Sequence, residues 1–119
     1  MFDILLIDIL GDVDQSGLRR LREHLHLSAF GRLTDEFDQQ FGSRTIECPS
    51  GHRAKIVLYR EFDWSWQVQV VASTASSADE LASLKAELLS GIRAANYSAK
   101  VEYESPPAST RSTTRDGER

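Results

Sequence analysis

The sequence of 119 residues has one cysteine, Cys48, which excludes an intramolecular disulfide. It also lacks a long hydrophobic run. The apolar stretch at residues 4–7 ends at Asp8, whereas a membrane-spanning helix needs about 20 apolar residues. A secretion signal needs a basic start and an uninterrupted apolar stretch, and Asp3 and Asp8 do not fit either requirement. We therefore expect a cytoplasmic protein without membrane contact.

The sequence has no excess of positive charge. Its net charge is -4, from 14 basic and 18 acidic side chains. Nucleic-acid binding gains most of its affinity by neutralising phosphates with lysine and arginine, so we expect no nucleic-acid partner. A glycine-rich loop for binding phosphate is also absent. The hydrophobic fraction of 40% is that of an ordinary globular protein with one core.

The sequence does contain clear strand and helix patterns. Residues 2–10 are almost continuously apolar, which predicts a central strand buried on both faces. A helix is expected to begin near Asp14, whose carboxylate can cap free backbone N–H groups. One buried stripe along this helix is formed by Leu18, Leu21 and Leu25.

A second, shorter helix is predicted over residues 35–41. Thr34 would cap it, Phe37 and Phe41 lie one turn apart, and Gly42 would end it.

The middle of the chain has the pattern of strands. A short strand is predicted over 44–48, and residues 54–62 and 65–73 predict a hairpin that turns around Asp63 and Trp64. In the second arm, one face consists of Trp64, Trp66, Val68 and Val70, and the other of Ser65, Gln67 and Gln69. This alternation predicts that the helices cover the two tryptophans and that the glutamines face away.

The last helix is indicated by a capping box of Ser77 and Glu80. Its apolar stripe is Leu81, Leu84, Leu88, Ile92 and Ala95. Asn96 can close the helix, and a final strand follows in which Ala99, Val101 and Tyr103 alternate with charged residues. Residues 105–119 are rich in serine, threonine, proline and arginine and predict a disordered C-terminal tail.

The predicted order is β-α-(α)-β-β-β-α-β in a single α+β domain over residues 1–104. We expect a ferredoxin-like sandwich, with an antiparallel sheet of 4–5 strands and two long helices on one face. The short 44–48 strand would lie at the edge of the sheet.

One acidic pattern resembles the calcium loop of an EF-hand. Its proposed ligands are Asp12, Asp14, Ser16 and Glu23, with Gly17 at the sharp turn. The resemblance predicts a Ca²⁺ site. The alternative is a helix N-terminus, where the helix dipole stabilises acidic side chains. The segment before the pattern has the periodicity of a strand instead of the EF-hand helix.

A second acidic set depends on the predicted fold. The ends of the first strand and of the hairpin would share one edge, which places four carboxylates there: Asp8, Asp12, Glu61 and Asp63. Such a cluster can hold Mg²⁺ for phosphoryl transfer. Residues 8–11 also resemble the metal-binding first strand of class III nucleotide cyclases. The resemblance implies a nucleotide-processing, palm-like domain, although the hairpin lacks the Gly-Asp motif of that family.

Cys48 and His52 flank a turn with a spacing that two zinc ligands can use. As a nucleophile and base they would need an orienting acid, for which Glu47 is the nearest choice. A small buried thiol is the simpler interpretation.

No complete catalytic set is present, so we expect a non-enzymatic protein-interaction or regulatory module without a cofactor. Its partner would be another protein or a second copy of the chain, bound through the uncovered sheet face or an edge strand. The expected contact residues are Val57, Tyr59, Trp64, Gln67 and Gln69. The metal-dependent nucleotide-processing domain is the alternative.

Overall fold

The computed structural model describes residues 2–49 and 51–106. The elements follow in the order β1 (Phe2–Leu10), α1 (Gln15–His24), β2 (Gln40–Glu47), β3 (Arg53–Arg60), β4 (Trp66–Ala72), α2 (Ala78–Ala94) and β5 (Ser98–Glu104). The strands form one open sheet in the order β2-β3-β4-β1-β5, and every neighbouring pair is antiparallel. The expected α+β class is confirmed.

The first strand lies inside the sheet, between β4 and β5, as its apolar run predicts. Leu5, Ile7 and Ile9 point to the core and are at most 4% exposed. Leu6 and Asp8 alternate with them and are half-buried on the opposite face. The strand is therefore committed to one register, because a shift by one residue would exchange its two faces.

Both long helices begin where the sequence predicts. Asp14 caps α1 by accepting a hydrogen bond of 2.7 Å from the backbone N–H of Gly17. At α2, Ser77 and Glu80 form the reciprocal bonds of a capping box, at 3.2 and 3.0 Å. These bonds satisfy donors that a first helical turn otherwise leaves unpaired. No helix in the described residues is long and apolar enough to cross a membrane.

The two helices pack on the same face of the sheet. Their apolar side chains form one cluster with the inward side chains of the strands, and α1 contacts α2 directly. The helical part of this core is Leu18, Leu21, Leu25, Leu81, Leu84, Leu88 and Ile92. Burying each such side chain contributes about 1.5–3 kcal/mol relative to leaving it in water, which is enough to hold the helices against the sheet.

The short helix predicted over 35–41 is wrong. This segment lies in turns until β2 begins at Gln40. Phe37 is 79% exposed whereas Phe41 is fully buried, so the two do not share a helical face. Gly42 pairs with β3 and ends no helix.

Trp64 also departs from the predicted alternation. The hairpin closes with a bond of 2.8 Å from the N–H of Glu61 to the carbonyl of Ser65, and Trp64 has a φ of 71°. This turn removes Trp64 from the core face of β4. Trp64 is 55% exposed and Trp66 is 4% exposed, so the prediction that the helices cover both tryptophans holds only for Trp66.

The final strand is confirmed, but a bulge changes its phase. Val101 pairs with Ile7, and Tyr103 pairs with Leu6. Tyr103 consequently lies on the face opposite Val101, although simple alternation places them on the same face.

The predicted tail, residues 105–119, falls largely outside the described residues, which end at 106. The N–H of Ser105 donates to the carbonyl of Ile4 at 2.9 Å. Disorder of the remainder stays a prediction.

Arg60, at the end of β3, is a buried cation that is 3% exposed. Its guanidinium lies 4.3 Å from the ring centre of Trp64 and 4.7 Å from that of Phe41. It also donates at 3.2, 2.7 and 2.9 Å to three backbone carbonyls, those of Leu33, Asp35 and Asp38. One side chain thus ties the turns before β2 to the hairpin tip.

We predict that Arg60→Met destabilises the protein by about 3 kcal/mol. Methionine keeps much of the apolar contact but leaves three carbonyls without the charged donor. A hydrogen bond to a charged group contributes about 1.5–3 kcal/mol, and water that reaches these carbonyls in half-buried or exposed turns offsets part of the summed loss. Urea unfolding followed by circular dichroism measures the change. The control is Arg53→Met on the exposed start of the same strand, for which we expect about 0.5 kcal/mol or less. Equal stability of the two variants would contradict the role of Arg60.

Candidate functional site

The sheet face opposite the helices has no element over it within the described residues. Strand register sets three rows of side chains across β3, β4 and β1 on this face. The rows are Lys55, Val71 and Asp3; Val57, Gln69 and Leu6; and Tyr59, Gln67 and Asp8. We call these nine side chains the open face. Four of the five predicted contact residues lie together on it.

Four of the nine side chains of the open face are apolar and lie around the central Gln69. Val57 is only 7% exposed, although it lies outside the core cluster beneath the helices. Leu6, Tyr59 and Val71 are half-buried, and Tyr103 extends the apolar surface onto β5 with an exposure of 43%. A solvated sheet face usually carries polar side chains. These apolar side chains set the open face apart from an ordinary solvated sheet surface.

A chain of hydrogen bonds crosses the open face. Gln69 Nε2 donates to Gln67 Oε1 at 3.1 Å, and Gln67 Nε2 donates to Asp8 Oδ1 at 2.9 Å. Glu102 of β5 lies beside Asp8. A hydrogen bond with Asp8, and then repulsion between the two charges, raise the pKa of Glu102 above its ordinary value. The polar part of the face thus has a defined arrangement.

Charge is divided across the open face. Lys55 lies on β3, whereas Asp3 and Asp8 lie on β1. The strand between them, β4, contributes uncharged side chains. Beyond β1, β5 adds one charge of each sign, Glu102 and Lys100. The face consequently has a basic side and a more acidic side.

The fifth predicted contact residue, Trp64, lies apart from the open face at the hairpin tip. With Phe37 it lines a shallow hollow of about 580 Å³. Phe62, on the same hairpin tip, is 79% exposed. This end of the molecule is a second exposed apolar surface.

The proposed catalytic edge comprised four carboxylates: Asp8, Asp12, Glu61 and Asp63. The carboxylate of Asp63 turns back to Ser65, accepting from its hydroxyl at 2.6 Å and its N–H at 3.0 Å, and these bonds lower the pKa of Asp63. Asp8 takes part in the glutamine chain, and the backbone carbonyl of Asp12 accepts from the Tyr97 hydroxyl at 3.0 Å. Within the described chain, no three of these carboxylates have oxygens within 4.8 Å of one another. Mg²⁺-dependent catalysis stays a prediction.

The proposed calcium ligands were Asp12, Asp14, Ser16 and Glu23. The structure uses this segment as a helix start: Asp14 is the cap, and Ser16 Oγ accepts from Arg20 at 2.9 Å. A helix rises about 1.5 Å per residue, which places Glu23 about 12 Å along the axis from Gln15. A calcium loop needs its last glutamate near the first ligands. The structure does not bring these residues together, and the Ca²⁺ site stays a prediction.

Within the described residues, one group of three side chains that can bind a metal ion lies close together. Cys48, His52 and Glu80 each place a ligand atom within 4.8 Å of the other two. His52 Nε2 is 3.3 Å from the Ser76 hydroxyl. Burial, and then the charge of Glu80, raise the pKa of the Cys48 thiol, while a hydrogen bond with Ser76 opposes the rise. A hollow of about 500 Å³ opens beside the group.

The sequence predicts only part of this group. The spacing of Cys48 and His52 identified two members, but the expected acid was Glu47. Glu80 comes from the first turn of α2 and already has a sequence explanation in the capping box. Glu80 comes close to Cys48 and His52 because α2 packs against the β2–β3 turn. This packing produces no local pattern in the sequence.

Comparison of the chain with family models, with curated proteins and with solved structures gives no match. Function is therefore inferred from the open face and from the group of Cys48, His52 and Glu80.

The raised pKa of Glu102 predicts a pH dependence of stability. Because the folded protein holds this proton more tightly than the unfolded chain, the stabilisation is present at acidic pH and is lost as pH rises through the raised pKa. We expect Glu102→Gln, which keeps a donor beside Asp8, to melt at a higher temperature than the parent at neutral pH. The melting temperatures of the two proteins should converge as the pH falls to the ordinary pKa range of a carboxyl group.

Melting curves of both proteins between pH 4 and 8, recorded by circular dichroism, measure this difference. The control is Glu36→Gln in the turns before β2. The difference between its melting temperature and that of the parent should not change with pH. A difference between Glu102→Gln and the parent that is constant over the whole range would contradict the pairing with Asp8.

Proposed function

We propose that this chain is a non-enzymatic interaction module that associates with a second copy through the open face. The observation that carries the proposal is the set of four apolar side chains on that face, Leu6, Val57, Tyr59 and Val71, together with the opposite charges on β3 and β1. Val57 is the most shielded of the four. The partner is another copy because the face is complementary to itself.

A ferredoxin-like fold belongs to the same proposal. Without β2, the strand order is β3-β4-β1-β5; α1 lies in the connection from β1 to β3, which also contains β2, and α2 joins β4 to β5. A β-α-β-β-α-β unit of this kind presents helices on one face and leaves the other face free. In this interpretation β2 is an additional edge strand that widens the free face.

Self-complementarity follows from the register of the three rows. A two-fold axis parallel to the strands and centred on β4 places β3 of one copy over β1 of the other. Each row then pairs with itself: Lys55 meets Asp3, Val57 meets Leu6, and Tyr59 meets Asp8. These contacts are ionic, apolar and hydrogen-bonded respectively. Because the interface is isologous, each occurs twice.

The size of the face sets the expected strength. On the side of the open face the whole sheet, five strands spaced about 4.8 Å apart and about 20 Å long, has an area of about 500 Å², and the open face is its three-strand centre. Two copies would bury about 1,000 Å², just below the usual range for stable complexes of about 1,200–2,000 Å². We therefore expect a reversible dimer that dissociates at micromolar concentrations.

We predict that Val57→Lys makes the protein monomeric, because it places a charge in each of the two apolar contacts between Val57 and Leu6 of the interface. Lys55→Glu should weaken the dimer tenfold or more, since two attractive pairs become repulsive and each tenfold change corresponds to about 1.4 kcal/mol. Adding Asp3→Lys to Lys55→Glu should restore most of the affinity. Sedimentation velocity over a range of concentrations gives the dissociation constant.

The matched control is Arg19→Glu, an equal charge reversal at an exposed position of α1 on the opposite side of the sheet, which should leave the dimer unchanged. A parent protein with the mass of one chain at every concentration would exclude self-association. A dimer that tolerates Val57→Lys but is lost in Trp64→Ser would move the interface to the hairpin tip and contradict the proposal.

A further inference from the structure

We propose that Cys48, His52 and Glu80 form a binding site for Zn²⁺ at the junction of the β2–β3 turn and the N-terminus of α2. The site lies on the helix side of the sheet, since Cys48 belongs to the core cluster there. It is independent of the open face and of the proposed dimer.

The backbone brings two of the ligands together. Cys48 directly follows β2, and its N–H donates to the carbonyl of His52 at 2.8 Å. The N–H of Gly51 donates back to the carbonyl of Cys48, also at 2.8 Å. These bonds close the turn before β3 begins, so the separation of the two ligands is fixed by the hairpin.

The third ligand comes from the capping box of α2. Glu80 accepts a hydrogen bond of 3.0 Å from the N–H of Ser77 through Oε1. A carboxylate has two oxygens with several lone pairs, so it can serve the cap and a metal ion together. The cap holds Glu80 in a fixed direction relative to the turn.

The spacing suits zinc. The three ligand atoms lie within 4.8 Å of one another, and in a tetrahedral zinc site with bonds of about 2.0–2.3 Å the ligand atoms lie about 3.3–3.8 Å apart. Closing around an ion therefore needs side-chain adjustments of about 1 Å. Ser76, which is 1% exposed, lies 3.3 Å from His52 Nε2 and can orient the imidazole ring.

The chemistry of the donors selects the metal. Thiolate and imidazole are ligands for zinc and related transition metals, whereas Ca²⁺ and Mg²⁺ prefer oxygen alone. One thiolate and one carboxylate neutralise the charge of Zn²⁺ at this partly buried position. The adjoining hollow provides an entry path for the ion, and its wall includes Glu47 and Asp79. A water molecule in this hollow can occupy the fourth coordination position.

The test uses the reduced full-length protein with Co²⁺ and Zn²⁺ as probes. Co²⁺ should produce a thiolate-to-metal absorption band and the intense visible bands of tetrahedral coordination. Zn²⁺ should displace it and abolish both. At a free Zn²⁺ concentration 100 times the dissociation constant, the melting temperature should rise by about 10–20 °C.

Three ligand variants and one control separate this site from general cation binding. Cys48→Ser should remove the charge-transfer band, and His52→Gln should weaken Zn²⁺ binding at least tenfold. Glu80→Gln should do the same while keeping the capping box, since glutamine also satisfies it. Asp79→Asn, in the same helical turn and hollow, should bind Zn²⁺ like the parent. Far-ultraviolet circular dichroism confirms that each variant is folded.

Two results would overturn the proposal. One is a reduced parent protein that shows neither the Co²⁺ bands nor a Zn²⁺-dependent rise in melting temperature. The other is equal weakening by Asp79→Asn and Glu80→Gln, which would assign the binding to the acidic wall of the hollow. Neither result would affect self-association through the open face.

Discussion

The arrangement around Arg60 is the constraint on which the rest of the structure depends. The segment between α1 and β2 contains turns but no regular element, so its carbonyls need partners from elsewhere. Arg60 supplies three of those bonds, and Arg22 adds bonds of 2.7 Å to the carbonyl of Phe41 and 2.6 Å to that of Phe30. Removing a guanidinium from water is costly, and the carbonyls and aromatic rings around Arg60 offset that cost. This network holds the turns where they lead into β2, the edge strand of the sheet.

The sheet has two different faces, because both helices pack on one side of it. Each inward residue determines the direction of its neighbours, because side chains alternate along a strand. With Ile56, Val68 and Val70 buried beneath the helices, Val57, Gln67 and Gln69 must point the other way. The bulge in β5 adds Tyr103 to that second face. The same packing that builds the core therefore also defines the open face, and the glutamine chain ending at Asp8 makes it a structured surface.

Local patterns predict most of the fold. The apolar run of β1, the alternation of β4 and the capping box of α2 are each complete within a few residues, and the structure confirms all three elements. The predictions are wrong or incomplete where groups that are distant in the sequence determine the local structure. The backbone around Phe37 is held by Arg60 from another strand, which no helical periodicity can reveal. Trp64 leaves the core because the turn needs a positive φ. Glu80 meets Cys48 and His52 only through tertiary packing, whereas the position of Val57, Gln67 and Gln69 on one face follows directly from period-two alternation.

The proposed zinc site differs physically from the structural sites of small zinc domains. Those domains are unfolded without metal because the ion replaces a hydrophobic core. Here the core beneath both helices is complete without the site, and the cap of α2 is formed by protein groups alone. Binding of an ion would therefore add a link between α2 and the β2–β3 turn of a protein that is already folded. The link would lie on the helix side of the sheet, opposite the open face, and the fold itself does not require it.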